Sequence, residues 1–136
     1  MNIIFLGDDI LKYFRTDGIR GEAYTEVTLQ LAYLIGNFFK DSDKPIVIGM
    51  DTRASSPDLA QALYEGLKGH KDIRFAGVIP TPGLMYYSLK NETIAIMITA
   101  SHNPYKDNGL KLITSTGDKF SDEQTTLIEK LISENQ

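Results

Sequence analysis

Ser101 is the residue of this sequence best placed to do chemistry. It follows the short apolar, β-branched run Ile94–Ile98, which predicts a strand covered on both faces. The residues after it include Pro104 and Asp107 and are typical of a loop. Open α/β sheets bind and transform ligands at the carboxyl ends of their strands, so a serine on this loop is a candidate nucleophile.

The neighbours of Ser101 leave two interpretations open. A serine hydroxyl is a weak nucleophile alone and needs activation and a partner for negative charge. Local sequence alone favours a structural role, in which Ser101 caps the turn by bonding the backbone near Asn103. His102 follows directly, but neighbours in an extended chain point to opposite sides, and no G-x-S-x-G elbow is present. We interpret His102 as a loop-fixing or substrate-side polar group, without a role in a catalytic triad.

Four segments of the sequence resemble the α-D-phosphohexomutases, in that family's order. They are the signature Lys12–Gly21, the strand-to-helix segment Ile48–Pro57, the proline turn Gly77–Gly83 and the serine loop with its following strand, Thr99–Lys111. Together they span about residues 12 to 120, and their sequences resemble the glucosamine-phosphate branch of the family most closely. The resemblance implies phosphoryl transfer between C6 and C1 of a hexosamine or hexose phosphate through a sugar bisphosphate. Glucosamine 6-phosphate, converted to glucosamine 1-phosphate, is the favoured substrate.

The same resemblance assigns catalytic roles to three residues. Ser101 carries the phosphoryl group that is passed to the sugar and then recovered. Arg20, expected in the loop of Thr16, Asp17 and Gly18, stabilises the charge that phosphoryl transfer spreads over the equatorial oxygens, as a planar guanidinium can. Lys111 does acid/base or orienting work. Considered singly, each cation is more typical of a solvated surface charge.

A second set of residues is expected to contact the phosphate or the sugar. It consists of His102, Asn103, Thr16, Asp17 and Gly18. Asn103 is predicted to fix the loop or a phosphate oxygen. Thr16, Asp17 and Gly18 form a tight polar turn that could reach the same pocket, with Gly18 supplying a positive φ.

Asp51 and Arg53 also occupy family positions, but an ion pair that braces a helix entry explains them as well. We therefore rank them below the other site residues. Two departures from the family pattern affect local geometry and substrate preference. Arg15 stands where the family usually has glycine, and Met50 stands where arginine is common.

The resemblance covers only the first of the family's four domains. The family's aspartate-rich magnesium loop lies in its second domain, and no D-x-D-x-D run occurs in this sequence. Mg²⁺ would be held through the phosphate on Ser101, with the remaining ligands absent from this chain. We expect little turnover by these 136 residues alone, and we expect a phosphosugar and the remaining domains as partners.

Composition fits one soluble α/β domain and excludes several other classes. The chain has 136 residues, enough for one domain with a single core. A net charge of -4 argues against a nucleic-acid binder, and the lack of cysteine excludes disulfides and Cys-based zinc sites. With only two histidines a His-based metal site is not expected, and His70 is predicted at the surface.

Targeting and nucleotide motifs are missing as well. The N-terminal run has no basic flank and carries Asp8 and Asp9, so we predict no signal peptide. No apolar stretch approaches the ~20 residues of a membrane span, which makes the cytoplasm the expected location. Neither G-x-x-x-x-G-K-[ST] nor G-x-G-x-x-G occurs, which excludes the common nucleotide-binding loops.

Alternating strand and helix patterns predict one three-layer α/β/α domain over residues 1–136, with a mostly parallel, mixed central sheet. The expected strands are 1–6 (an edge strand or a tail), 46–48, 73–78, 94–98 and 109–113. Two helices are expected at residues 25–40 and 84–89. A further helix between them is capped by Ser56 and ended by Gly69, and the last helix begins at the capping box of Ser121 and Gln124. The last helix is predicted to bury Leu127, Ile128, Leu131 and Ile132.

Three functions remain as alternatives. The first is the phosphoserine-bearing domain of a phosphohexomutase. The second is a standalone non-catalytic domain that binds a partner protein or a phosphosugar, with Tyr86, Tyr87 and Phe120 as candidate interface residues. The third is an unrelated α/β hydrolase or phosphatase that uses Ser101, which the missing elbow argues against.

Overall fold

The computed structural model describes residues 18–134 of the chain. These residues form five strands and four helices. The strands are β1 (Ile19–Glu22), β2 (Ile46–Met50), β3 (Ile73–Val78), β4 (Ile94–Ile98) and β5 (Asp107–Ile113). The helices are α1 (Leu29–Phe39), α2 (Ser56–Leu67), α3 (Thr81–Asn91) and α4 (Asp122–Glu134). The strand predicted at residues 1–6 lies outside the described residues.

The strands make one mixed sheet in the order β1-β5-β4-β2-β3. β2 is parallel to both β3 and β4, whereas β5 runs antiparallel to β4 and β1. Met50 at the end of β2 pairs with Ile98 at the end of β4. The loops that leave these two strands therefore start side by side, and this is where an open α/β sheet places its chemistry.

Helices cover both faces of the sheet, which confirms the predicted three-layer α/β/α architecture. One face packs against α1, α2 and α4 through a large apolar cluster that includes Ile35, Leu63, Ile96 and Ile128. The other face packs against α3 through a smaller cluster centred on Leu84. Burial of such aliphatic side chains contributes roughly 1.5–3 kcal/mol each, so the two clusters fix the sheet between its helices.

Two helices differ from their predicted bounds. α1 begins at Leu29 rather than at residue 25, because the Thr28 hydroxyl accepts a hydrogen bond from the Leu31 N–H and caps the helix there. α3 runs from Thr81 to Asn91, longer than the predicted 84–89. Its first turn contains Pro82, which is tolerated there because the missing N–H has no partner inside the helix.

The predicted cap of α2 is wrong by one residue. Ser55 is the N-cap, and Ser56 is the first helical residue, with its hydroxyl donating to the Asp51 carboxylate. Gly69 follows the helix with a φ of +105°, as predicted. Ser56 thus joins the start of α2 to Asp51, the residue that follows β2.

The capping box of α4 is confirmed. The Ser121 hydroxyl accepts from the Gln124 N–H, and the Gln124 side chain accepts from the Ser121 N–H. Ile128 and Ile132 are buried as predicted, but Leu127 is 53% exposed, so its predicted burial is wrong. Leu131 lies half-buried beside them. The apolar stripe of α4 is narrower than the sequence spacing implied, and Leu127 lies on its solvent side.

His70 is buried rather than at the surface as predicted. Its Nε2 lies 3.0 Å from the Ser42 carbonyl oxygen, and its Nδ1 accepts from the Asp72 N–H. Ser42 lies on the segment that leads into β2, and Asp72 lies on the segment that leads into β3. The His70 imidazole therefore links these two segments.

None of the helices described in residues 18–134 is long and apolar enough to cross a bilayer.

Candidate functional site

The site begins where β2 and β4 end beside each other. The Asp51 N–H donates to the Ile98 carbonyl at 3.0 Å, which continues the parallel pairing by one residue. After this bond the two chains separate, one into the start of α2 and the other into residues 99–106, which we call the serine loop. The opening between separating parallel strands is a common place for a ligand in this class of fold.

Ser101 occupies an unusual backbone conformation in the serine loop. Its φ is +53°, in the left-handed region, which costs a non-glycine residue about 1–2 kcal/mol. Its N–H donates to the Thr99 hydroxyl at 3.0 Å. The side chain is exposed, and within residues 18–134 its hydroxyl makes no hydrogen bond. The bond that closes this turn runs instead from the Asn103 N–H to the Ala100 carbonyl, so the structure does not show Ser101 as the cap of its own turn.

Arg53 is the residue on which the serine loop is built. Its side chain is 8% exposed. Its Nε donates to Asp51, at 2.9 Å. Its two terminal nitrogens donate to four backbone carbonyls, those of Ser101, Asn103, Pro104 and Asp107, at 2.6 to 3.1 Å. Arg53 was ranked below the other site residues because a bracing ion pair with Asp51 explains its local sequence, and these four carbonyls lie 48 to 54 positions away along the chain.

The Asp51 carboxylate balances the Arg53 charge. Partial burial alone would raise the pKa of Asp51, but hydrogen bonds from the Arg53 N–H, Thr99, Ser56 and the Arg53 guanidinium outweigh burial and lower that pKa. Asp51 is therefore ionised at neutral pH. The Thr99 hydroxyl also accepts a hydrogen bond from the Ser101 N–H.

Two asparagines fix the far end of the loop. The Asn103 side chain donates to the Asp107 carboxylate at 3.1 Å, which is the loop-fixing role predicted for Asn103. Asn108 is fully buried, and its side-chain N–H groups donate to the hydroxyls of Ser55 and Ser56. Asn108 thus joins the first residues of β5 to the start of α2, a contact that sequence reasoning missed.

The two predicted catalytic cations lie on one face of the sheet. Arg20 is on β1 itself rather than in a loop, opposite Gly109 of β5. Lys111 lies two residues further along β5, so both side chains project from the same face, the one that Met97 occupies on β4. Both are half-buried. A Cβ at Gly109 would overlap the carbonyl oxygens of Ile19 and Thr99, so only glycine allows β5 to approach the serine loop this closely.

The remaining predicted contact residues are only partly described. His102 is exposed and makes no hydrogen bond within residues 18–134, so a loop-fixing role is not seen and a substrate-side role stays a prediction. Ser101 and His102 do not lie in an extended chain as expected, because the backbone turns at Ser101. Gly18 has a φ of +94°, as predicted. Thr16 and Asp17, together with Arg15, lie outside the described residues.

The described carboxylates near the serine loop are engaged in other contacts and do not form a magnesium site by themselves. No group of three or more carboxylate or imidazole side chains in residues 18–134 is arranged to hold a metal ion. Asp51 is committed to Arg53 and Asp107 to Asn103. A magnesium ion bound near Ser101 would therefore need ligands from outside residues 18–134.

A groove of about 360 Å³ borders the serine loop. Its lining residues come from the end of β1, the start of α2 and the loop itself, and they are Glu22, Ala23, Tyr24, Ala54, Ser55, Tyr105 and Lys106. The Tyr105 hydroxyl donates to the Thr52 carbonyl, and Lys106 pairs with Glu22. The groove walls are thus held by contacts between the serine loop and its two neighbours.

Only one of the three predicted interface aromatics is largely exposed. Tyr86 is 61% exposed, on α3. The Tyr87 hydroxyl accepts a hydrogen bond from Arg74, and Phe120 packs edge-to-face against Phe39 with ring centroids 5.7 Å apart. Phe120 is therefore part of the packing under α1 rather than an interface residue. Met50, the departure at the end of β2, packs partly buried against the large apolar cluster.

Comparison with known proteins gives a consistent assignment. Residues 11–136 match the family described as phosphoglucomutase/phosphomannomutase, alpha/beta/alpha domain I. Phosphoglucosamine mutases from Bacillus cereus and Bacillus anthracis are 46% identical to this chain over 129 residues, which cover 89% of this chain and 29% of each relative. The chain thus spans less than a third of the length of these relatives.

A solved structure agrees with the sequence comparisons. The crystal structure of a phosphoglucomutase/phosphomannomutase family protein from Burkholderia thailandensis superposes with a TM-score of 0.78 and 27% sequence identity. The match covers 90% of this chain and 30% of that one. The mixed five-stranded sheet and its helices therefore have a counterpart in a protein of the same description.

Proposed function

This chain belongs to the phosphoglucomutase/phosphomannomutase family as its α/β/α domain I, and from that membership we propose that it supplies the phosphoserine of a longer phosphohexomutase. The observation that carries the proposal is the conformation of Ser101, whose hydroxyl is exposed at the end of β4 while its backbone is held on both sides. A serine that only capped a turn would turn its hydroxyl onto the backbone.

The reaction is an intramolecular exchange of phosphate positions on a sugar. Phosphorylated Ser101 gives its phosphoryl group to a free sugar hydroxyl: the bond between Oγ and phosphorus breaks, and a bond from the sugar oxygen to phosphorus forms. The hydroxyl proton passes through Lys111 to Oγ, which leaves as the serine hydroxyl. The sugar bisphosphate then returns its other phosphoryl group to Oγ, and the Oγ proton passes back through Lys111 to the sugar oxygen that is released.

Arg20 and Lys111 supply positive charge on the sheet face beside this reaction. A phosphoryl group in transfer carries its negative charge on the equatorial oxygens, and cations held in fixed positions lower the barrier. Arg20 lies on a strand that is hydrogen bonded to β5, so its backbone needs no rearrangement when the charge develops. His102, Asn103, Thr16, Asp17 and Gly18 complete the proposed contacts to phosphate and sugar.

The substrate we propose is a hexosamine phosphate, with glucosamine 6-phosphate converted to glucosamine 1-phosphate. The support is the name carried by the relatives that are 46% identical to this chain. Magnesium, where the phosphorylated enzyme uses it, needs carboxylates from outside residues 18–134 in addition to the phosphate on Ser101.

The test uses the longer protein that contains this chain, with glucosamine 6-phosphate as substrate and glucosamine 1,6-bisphosphate as activator. We expect turnover by the unaltered protein and a loss of at least about a thousandfold for Ser101→Ala. Ser121→Ala is the matched control, because Ser121 caps α4 and does no chemistry. Full turnover by Ser101→Ala would contradict the proposal, and saturable binding of the sugar phosphate without turnover would favour the non-catalytic alternative.

A further inference from the structure

We propose that Arg53 is a positioning residue for Ser101, and that its buried guanidinium holds the serine loop in the conformation that presents the serine hydroxyl. The inference rests on the proposed function for its catalytic consequence, but its structural part stands without it. Arg53 lies on the loop after β2, whereas Ser101 lies on the loop after β4. The guanidinium therefore joins the two loops that separate at the end of the sheet.

The hydrogen bonds of Arg53 use every donor that the side chain has. A guanidinium carries five N–H groups. One is donated by Nε to Asp51, two by Nη1 to the carbonyls of Pro104 and Asp107, and two by Nη2 to the carbonyls of Ser101 and Asn103. No N–H group remains for a phosphate oxygen. Arg53 therefore acts through the loop, in contrast to the direct contact proposed for Arg20.

These bonds hold Ser101 from both sides of its α-carbon. Its carbonyl accepts from the Arg53 guanidinium, and its N–H donates to the Thr99 hydroxyl. The guanidinium is itself fixed by its bond to the Asp51 carboxylate. The bonds on the two sides of Ser101 offset the cost of its left-handed backbone.

Only arginine can make this set of contacts. Its planar fork reaches a carboxylate and four carbonyls in fixed directions, whereas a lysine ammonium is a point charge with three donors. A buried charge that loses most of its partners is costly, so the loop would adjust to a lysine rather than keep its course. The loop conformation, and with it the position of the Ser101 hydroxyl, thus depends on the shape of the side chain as well as its charge.

The first measurement is amide hydrogen exchange in the 136-residue chain, comparing Arg53→Lys with the matched control Arg74→Lys. Arg74 makes the same two-residue pairing, with Asp72, but bonds no loop carbonyl. We expect Ser101, Asn103 and Asp107 amides to exchange about tenfold or more faster in Arg53→Lys, with β2 and β4 amides unchanged. Unchanged exchange at these three amides would overturn the proposal.

Two further variants cover the case in which Arg53→Lys does not fold. Thr99→Val keeps the shape of the side chain and removes the hydroxyl that accepts from the Ser101 N–H. We expect it to speed exchange at Ser101 alone. In Arg53→Ala, added guanidinium at millimolar concentration should restore protection of the loop, whereas methylammonium should not. Equal rescue by both cations, or a Thr99→Val protein with unchanged exchange at Ser101, would contradict the proposal.

The catalytic consequence is measured in the longer protein with glucosamine 6-phosphate. We expect Arg53→Lys to lower kcat by about a hundredfold with little change in KM, because a misplaced nucleophile loses alignment rather than substrate binding. Arg74→Lys should change neither value. If the loop amides respond to Arg53→Lys but Ser101→Ala still turns over, the proposed function fails and the positioning of the loop stands. If Ser101→Ala is inactive and Arg53→Lys keeps its kcat, the positioning role fails alone.

Discussion

Two Asp-x-Arg sequences in this chain form the same ion pair and lead to different outcomes. Asp51 and Arg53 meet at 2.9 Å, and so do Asp72 and Arg74. Arg53 is 8% exposed, whereas Arg74 is 36% exposed. Beyond its aspartate, Arg53 donates to four backbone carbonyls, and Arg74 donates to one tyrosine hydroxyl.

The difference comes from the position of each pair in the sheet. Arg53 follows β2, which has a strand on both sides, and the serine loop from β4 closes over it. Arg74 lies on β3, an edge strand with no neighbour beyond it among the described residues. An ion pair that is covered by a second segment can bind that segment and fix its conformation. The same pair at the edge of the sheet is solvated and contributes little to stability.

Replacing Arg53 should have the largest effect on stability. In Arg53→Met the Asp51 carboxylate loses its cation and four carbonyls lose their donor. Removing one partner of a buried pair typically costs about 3–5 kcal/mol, and we expect a loss of unfolding free energy in that range. Urea denaturation followed by circular dichroism measures it. A loss below about 1 kcal/mol would mean that this pair contributes no more to the free energy of unfolding than an ordinary surface ion pair.

The stability that the Asp51–Arg53 pair contributes should depend on pH. The bonds described above lower the folded-state pKa of Asp51 below its usual value, so its contribution to stability is present above the unfolded pKa and is lost as pH falls through the folded pKa. Asp51→Asn should therefore remove part of the fall in stability below about pH 4. In Asp72 the pKa is also lowered, chiefly by the Arg74 hydrogen bond.

The contrast between the two aspartates lies in their salt dependence. Because the Asp72 pair is solvated, 0.5 M salt, with a Debye length of roughly 4 Å, should suppress the effect of Asp72→Asn on the acid transition. The effect of Asp51→Asn should persist in the same salt. Acid titrations of both variants at two salt concentrations measure this, and an equal salt sensitivity would contradict the distinction.

Ser101→Gly should stabilise the domain slightly. Glycine adopts a positive φ without the penalty that serine has, so we expect a gain of about 1 kcal/mol, reduced by the larger entropy of the unfolded chain. Ser101→Ala keeps the penalty and should leave stability nearly unchanged. Urea denaturation of both variants distinguishes them. A Ser101→Gly protein less stable than Ser101→Ala would mean that the left-handed backbone is not strained.

Arg74→Met should have the smallest effect. An exposed pair is worth at most about 1 kcal/mol, and many contribute nothing measurable. Any loss should vanish in high salt. Thermal unfolding with and without added salt measures it, and a salt-independent loss as large as that of Arg53→Met would remove the distinction between the two pairs.

The sequence was sufficient to predict what depends on local pattern. The strands at 73–78 and 94–98, the capping box of Ser121 and the positive φ of Gly18 follow from neighbouring residues, and all are confirmed. The α/β/α layering follows from the alternation of strands and helices. These features need no knowledge of which distant segments meet.

What could not be predicted depends on contacts between distant segments. The carbonyl partners of Arg53 lie 48 to 54 residues along the chain, and the Ser42 carbonyl that meets His70 lies 28 residues away. Local sequence therefore gave both side chains an ordinary surface or bracing role. The sequence did contain one signal for the role of Arg53. An arginine that closely follows a buried strand is a candidate for burial by the loop that follows the neighbouring parallel strand.

The most direct test is to map phosphate on the protein that contains these residues, purified from its own host. We expect one phosphate on Ser101, which decreases when excess glucosamine 6-phosphate is added and is restored by glucosamine 1,6-bisphosphate. Turnover of glucosamine 6-phosphate by a protein whose Ser101 is never phosphorylated would contradict the proposed role of Ser101.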